Sequence, residues 1–350
     1  MMPCKVCGES TAQKINPLDI STLLFTASSS IPSFHTYESA YCEHCGVIFM
    51  TEFPDRDKLV EFYNNDYRAS DFAIELQDGR TIDLPIQIPW SGISYARFET
   101  FYRMIERSSV QRPSSESFFI DYGGYQGFFL LAVKQCYGAE VMNYEYSQSG
   151  LQFAEGALGI PGFLSQDISK DSFHKKADFV TLLHVFEHLE APLDFLIHVR
   201  ENILKSTGSI YIEVPNVYGD ALVDPTHFYT YSELSLSNML MMAGYTVVEV
   251  VEHGFPGNQL KADNDRANLS IMAVVGPETL SQTLHTPLAL NDFLIDVRNS
   301  YKSVHWKFLK TVLKRLRKDF FEATVYSIGF LLEAKLGLNL RKIRASLSKR

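Results

Sequence analysis

The sequence predicts a doubly wound α/β fold, a mostly parallel sheet with helices on both faces, and three observations carry that prediction. From Phe118 onward, apolar strand-like runs alternate with amphipathic helical runs, the pattern of parallel strands joined by helical crossovers. A glycine-bearing turn, Asp121-Tyr122-Gly123-Gly124-Tyr125-Gln126-Gly127, follows the first run, and an acid, Glu145, closes the second about 20 residues later. Four of the five cysteines form two pairs ahead of this region, Cys4-x-x-Cys7 and Cys42-x-x-Cys45.

Composition bounds the class. Of 350 residues, 46% are hydrophobic and 21% charged, which excludes a disordered, collagen-like or disulfide-dense chain. The length suits three units: a ribbon and connector helix over 1–68, a main domain over 90–280, and a helical tail over 290–350. No apolar run approaches the roughly 18 residues of a membrane span, and MMPCKVCGES lacks a leader pattern, so a cytoplasmic location is expected. Residues 301–350 hold 13 Lys and Arg against 3 acids, a balance of +10, and leave the body at −19. An acidic body argues against nucleic acid as a partner.

The four cysteines predict a zinc ribbon. Two thiolates on a tight turn grip one ion, and a second such knuckle completes tetrahedral coordination. Gly8 and Gly46 follow the knuckles and supply the turns. Two disulfides are the alternative, disfavoured where thiols are kept reduced. Four thiolates close the site, so this zinc would be structural. Cys136 falls in an apolar helical pattern and is expected to be a small buried hydrophobe.

A helix starting at Asp55, with Leu59, Val60, Phe62 and Tyr63 on its apolar side, is expected to connect the ribbon to the body. Residues 78–92, punctuated by Gly79, Pro85, Pro89 and Gly92, read as loop. Tyr95, Phe98, Phe101, Tyr102 and Ile105 then recur at helical spacing. The main alternation follows: strands at FFID, AEVMNYE, GFLSQD, ADFVTLL, SIYIEVP, YTVVEVVE and NLSIMAVV, with helices through FFLLAVKQCYG, LQFAEGAL, LDFLIHVRENIL and ELSLSNMLMMAG. In such sheets the ligand crevice lies at the strands' carboxyl ends. The glycine turn lets backbone approach a ligand beside a helix start, and a carboxylate at Glu145 suits two ribose hydroxyls. Together they point to a nucleoside cofactor.

The turn resembles the D-x-G-x-G-x-G motif of class I S-adenosylmethionine-dependent methyltransferases, with Asp121, Gly123 and Gly127 matching and Tyr125 standing at the middle glycine. Glu187, His188, Pro192, Gly208, Pro215 and Asn216 extend the likeness, which covers residues 1–68 and about 90–275 and is nearest to sugar C-methyltransferases with an N-terminal zinc ribbon. The resemblance implies a Rossmann-like seven-stranded sheet and S-adenosylmethionine as cofactor. It implies Asp121, Gly123, Gly124, Gly127, Glu145, Gln166, Asp167, His184, Glu187 and His188 as the cofactor-binding residues, with Gln166 and Asp167 at the adenine. It also implies a sugar or glycan substrate, nucleotide-linked or in a surface polysaccharide, with His227 as general base and Tyr229 or Tyr231 lining the pocket. Carbon and oxygen methylation stay open, because no acid adjoins His227 in sequence.

His184-x-x-Glu187-His188 has other readings. It is an inverted zinc-protease signature, but a strand end and Pro192 leave no room for the long helix such a site needs. Some related methyltransferases bind a divalent ion through an E-x-x-E-H cluster, which would favour oxygen methylation of a small aromatic or quinone-like acceptor. A catalytically inert docking protein is the reading from a different class, kept open by Tyr125. In the tail, Trp306, Leu309, Val312, Leu313, Leu316 and Phe320 oppose Lys307, Lys310, Lys314, Arg317 and Lys318, making a basic amphipathic helix. It suits peripheral contact with an anionic membrane, docking on the acidic body, or a homo-oligomer.

Overall fold

The computed structural model describes residues 1–15, 38–53, 73–75, 81–83, 87–164, 175–219, 226–254, 266–276, 283–297 and 299–300. The expected connector helix from Asp55, Gln166 and Asp167, and the tail beyond residue 300 lie outside these. Met1–Arg298 form one compact unit and Asn299–Arg350 a second.

Three short strands, β1 (Ala12–Ile15), β2 (Ser39–Cys42) and β3 (Ile48–Met50), make an antiparallel ribbon. Its outer edge is completed by β11 (Tyr229–Thr230), a two-residue strand far along the chain that pairs antiparallel with β3. A separate hairpin joins β4 (Ala73–Glu75) and β5 (Thr81–Asp83), and helix α1 then runs Gln87–Arg107. The loop expected over 78–92 is therefore corrected: α1 begins earlier, because Pro89 sits in the first turn, where its missing N–H has no intrahelical partner to lose.

The main sheet holds β6 (Phe118–Tyr122), β7 (Glu140–Glu145), β8 (Gly162–Leu164), β9 (Ala177–Leu183), β10 (Leu204–Pro215), β12 (Tyr245–His253) and β13 (Asn268–Val275), in the order β12-β13-β10-β9-β6-β7-β8. Pairs from β10 to β8 are parallel, and β13 runs antiparallel to both neighbours. Helices α2 (Phe128–Tyr137), α3 (Gln148–Leu158), α4 (Pro192–His198, widening through Val199–Ile203) and α5 (Glu233–Met242) connect the strands. The expected Rossmann-like seven-stranded sheet is thus present.

Strands β6, β9 and β10 are apolar on both faces because both are covered. On one face Phe101 of α1 meets Phe119, Phe129, Phe179 and Tyr211 edge-on. Cys136 is exposed, which corrects the expected burial: α2 buries Phe129, Leu130, Ala132 and Val133, and Lys134 to Cys136 fall on its outer side. The chain order reverses between β6 and β9, so the crevice lies beyond their carboxyl ends.

Candidate functional site

At the end of β6, Asp121 is fully buried and its Oδ1 accepts Thr181 Oγ1 at 2.6 Å. Burial, with a smaller contribution from the Glu145 charge, pushes its carboxyl up to about 7. Gly123 has φ 71° and donates to Tyr144 O at 2.7 Å; a Cβ there would stand 2.3 Å from Val185 Cγ2. A Cβ on Gly124 would meet Asp121 Oδ2 at 2.5 Å and Asn143 Oδ1 at 2.6 Å, two buried oxygens with no hydrogen-bond partner. The turn is a concave cradle floored by acceptors, as a nucleoside cofactor requires. Tyr125 takes the left-handed conformation itself, φ 46°, and its ring lies across Gly150 at the start of α3.

Glu145 is held firmly. Its Oε2 accepts Tyr125 N at 2.6 Å and its Oε1 accepts Tyr146 N and Ser147 N at 2.8 Å each. The acid at the second strand's end therefore also fixes the glycine turn, and Asn143 Nδ2 adds a bond to Tyr125 O at 2.8 Å. Gly127 caps α2 at φ 76°.

Beyond β9, His184 stands at φ 57°, its amide bonded to Glu213 O at 2.8 Å. Its Nε2 lies 3.3 Å from Glu213 Oε1, close but not aligned as a hydrogen bond. Burial, then the Arg97 charge, lowers its pKa, against the pull of the Glu213 carboxylate. Glu213 was not foreseen, nor was Arg97 of α1, which donates to its Oε1 at 2.7 Å. Burial would raise Glu213, but Arg97, His184 and His253 outweigh it and hold the carboxyl at about 2. Ser270 Oγ donates to Oε2 at 3.2 Å and contacts His253 Nε2 at 2.9 Å and Tyr211 OH at 3.0 Å. A lone Glu inside the apolar run SIYIEVP was the legible signal.

Three imidazoles converge on the buried Glu187. Its Oε1 stands 3.7 Å from His184 Nδ1, 3.8 Å from His188 Nε2 and 3.9 Å from His227 Nε2. His188 Nδ1 donates to Thr226 O at 2.8 Å, and the His188 and His227 rings lie 4.9 Å apart. His227 is 13% exposed. Tyr229 and Tyr231 are not beside it in a cleft: Tyr229 is buried with its hydroxyl on Glu190 O at 2.9 Å, and Tyr231 is buried against Phe186.

The four cysteines are free thiols whose sulfurs all lie within 4.8 Å of one another. Cys4–Cys45 and Cys7–Cys42 sulfurs are 3.8 and 3.7 Å apart. Sulfurs at about 2.3 Å from a tetrahedral zinc stand about 3.8 Å apart, so the residues fit that ion, whereas a disulfide needs about 2.05 Å. Gly8 and Gly46 turn the knuckles at φ 76° and 78°.

Strand order, the reversed β13 and the glycine cradle define a class I S-adenosylmethionine-dependent methyltransferase fold. Residues 95–250 match the family model described as a methyltransferase domain, so the chain carries a methyltransferase domain. No curated protein sequence matches the chain. Among solved structures, it is similar to the Burkholderia thailandensis 1,6-didemethyltoxoflavin-N1-methyltransferase, 13% identical over 68% of this chain and 96% of that one, TM-score 0.45. It is also similar to a putative S-adenosylmethionine-dependent methyltransferase from Listeria monocytogenes, 14% identical over 53% and 100%, TM-score 0.43. The fold assignment rests on the strand order.

Proposed function

We propose that the protein methylates a sugar, nucleotide-linked or part of a surface polysaccharide, with His227 as general base and one structural zinc on Cys4, Cys7, Cys42 and Cys45. The supporting observation is Glu187: the chain provides no acid next to His227 in sequence, but the fold brings a buried carboxylate within 3.9 Å of its Nε2. That charge favours the proton on Nε2 and stabilises the imidazolium, which leaves Nδ1 to take the acceptor's proton. S-adenosylmethionine, when bound, supplies an electrophilic methyl on sulfur. Glu145, Asp121 and the glycine turn hold and orient the nucleoside end, with His184 beside it. Positioning and proton removal are what methyl transfer asks of a protein.

A second reading rests on the same cluster. Ligand atoms of Glu187, His188 and His227 lie within 4.8 Å of one another. The Nδ1–H bond from His188 to Thr226 O leaves its Nε2 lone pair toward Glu187, the orientation a metal-binding imidazole adopts. A divalent cation there would suit oxygen methylation of a small aromatic or quinone-like acceptor, with His227 a ligand and not the base.

One set of measurements separates the two: metal content per chain, and turnover of a nucleotide-sugar panel by wild type and His227→Ala. The sugar reading expects zinc alone and a turnover drop of about 10²- to 10⁴-fold with S-adenosylhomocysteine binding intact. Near-normal turnover removes His227 from the mechanism. A second ion that Glu187→Gln releases favours the metal reading.

A further inference from the structure

His227 hangs between two anchored carbonyls. On one side Thr226 O accepts His188 Nδ1, so the Glu187-His188 turn holds it. On the other, Phe228 O accepts the amide of Met50 at 2.9 Å, a residue of the ribbon. The next residues continue the contact, Tyr229 opposite Phe49 and Thr230 opposite Ile48. A strand of two residues does not stand alone: β11 is held by the edge that β3 offers and, one residue on, by Val217 N donating to Tyr231 O at 2.8 Å.

Both cysteine knuckles bear on that edge. The second leads directly into β3: Cys42 N donates to Val47 O at 3.0 Å and Gly46 N to Cys42 O at 2.8 Å, one residue before Ile48. The first carries Lys5, whose Nζ sits 3.4 Å above the Phe53 ring. Phe53 in turn stacks on Phe228 at 4.8 Å and meets Tyr229 edge-on at 5.8 Å. The short sulfur contacts cross between knuckles, Cys4 with Cys45 and Cys7 with Cys42, so the cysteine cluster is what joins the two supports. The bonds shaping the glycine turn come instead from Asn143, Tyr144 and Glu145, all in the main sheet.

We propose that the cysteine ribbon is a positioning element of the methyl-acceptor side: through β3 and Phe53 it sets where His227 stands, so the state of the four cysteines governs methyl acceptance and leaves cofactor binding alone. Phe53 is the positioning residue of this device. The inference rests on the reading of His227 as an acceptor-side group.

The test is hydrogen exchange by mass spectrometry on the full chain, Cys7→Ser and Phe53→Ala, beside calorimetric titration with S-adenosylhomocysteine and an NMR titration of the His227 imidazole. Both variants are expected to raise exchange over 226–231 by about tenfold or more, as a locally released segment does, with 118–145 unchanged. Both should shift the His227 titration and bind S-adenosylhomocysteine like wild type. Phe53→Tyr, which keeps the stacked ring, should restore wild-type exchange. Unchanged exchange over 226–231 in both variants overturns the proposal, as does a loss of cofactor affinity matching the rise in exchange. If Cys7→Ser loosens the whole sheet, Phe53→Ala, with all four cysteines intact, decides. Failure of His227 as a base would appear in turnover of His227→Ala, without altering exchange in the ribbon variants.

Discussion

At the scale of single residues, the carboxylate of Glu145 does two things at once. It accepts three backbone amides, from Tyr125, Tyr146 and Ser147, and in the proposed function it also meets the cofactor ribose. Replacing it by Gln keeps the shape and removes the charge. Glu145→Gln should weaken S-adenosylhomocysteine binding by about 1.5 to 3 kcal/mol, tenfold or more, because charge-assisted hydrogen bonds are the stronger kind. Titration calorimetry checks this, and an unchanged affinity would overturn the ribose placement. Thermal unfolding should also occur earlier, since three half-buried amides then face a weaker acceptor.

At the scale of elements, the glycine turn is set by space as much as by backbone freedom. Gly123→Ala asks a Cβ to sit 2.3 Å from the branched Val185 side chain at a φ of 71°. The left-handed conformation costs an alanine about 1 to 2 kcal/mol before the clash is counted, so urea unfolding should show at least that loss. The strands and helices of the main sheet were legible in sequence, because apolar runs of seven or eight residues between turn residues carry a clear signal. The cysteine knuckles were legible from spacing alone. The hairpin β4–β5 and strand β11 were not, being two or three residues long with no periodicity to read. Nor was the approach of Glu187 to His227, which depends on β11 being captured by a ribbon encoded far upstream. Arg97 hid inside an aromatic helix whose pattern spoke only of packing.

At the scale of the whole molecule, Glu213 ties together α1, β9, β10, β12 and β13 through Arg97, His184, His253 and Ser270. Its pKa falls from an ordinary 4.5 to about 2, so the folded state gains from the ionised form. That contribution, about 3 kcal/mol, is present above pH 4.5 and lost as pH falls toward 2. Asp121 has the opposite sign: raised from 3.8 to about 7, it favours folding in its protonated form, and its contribution is lost as pH rises through 7. Urea denaturation across pH should therefore show Arg97→Met destabilised at neutral pH, by about 3 to 5 kcal/mol for a buried charge left without its partner, with a shallower acid limb than wild type. Asp121→Asn should lose the decline between pH 4 and 7. Wild-type slopes in both variants would mean that these carboxyls ionise as exposed ones do. Among the described residues no helix is long and apolar enough to cross a membrane.

The Tyr125 ring lying across Gly150 ties two positions that no motif links. A Cβ at 150 would come within 2.7 Å of Tyr125 Cδ2, so an aromatic at 125 demands glycine at 150. In an alignment of natural homologues the pair should covary: chains with the ordinary glycine at 125 lose the ring clash at 150 and tolerate alanine there more often than chains with an aromatic. A search keyed to the usual glycine pattern would pass over this lineage, whereas one keyed to the aromatic–glycine pair would gather it.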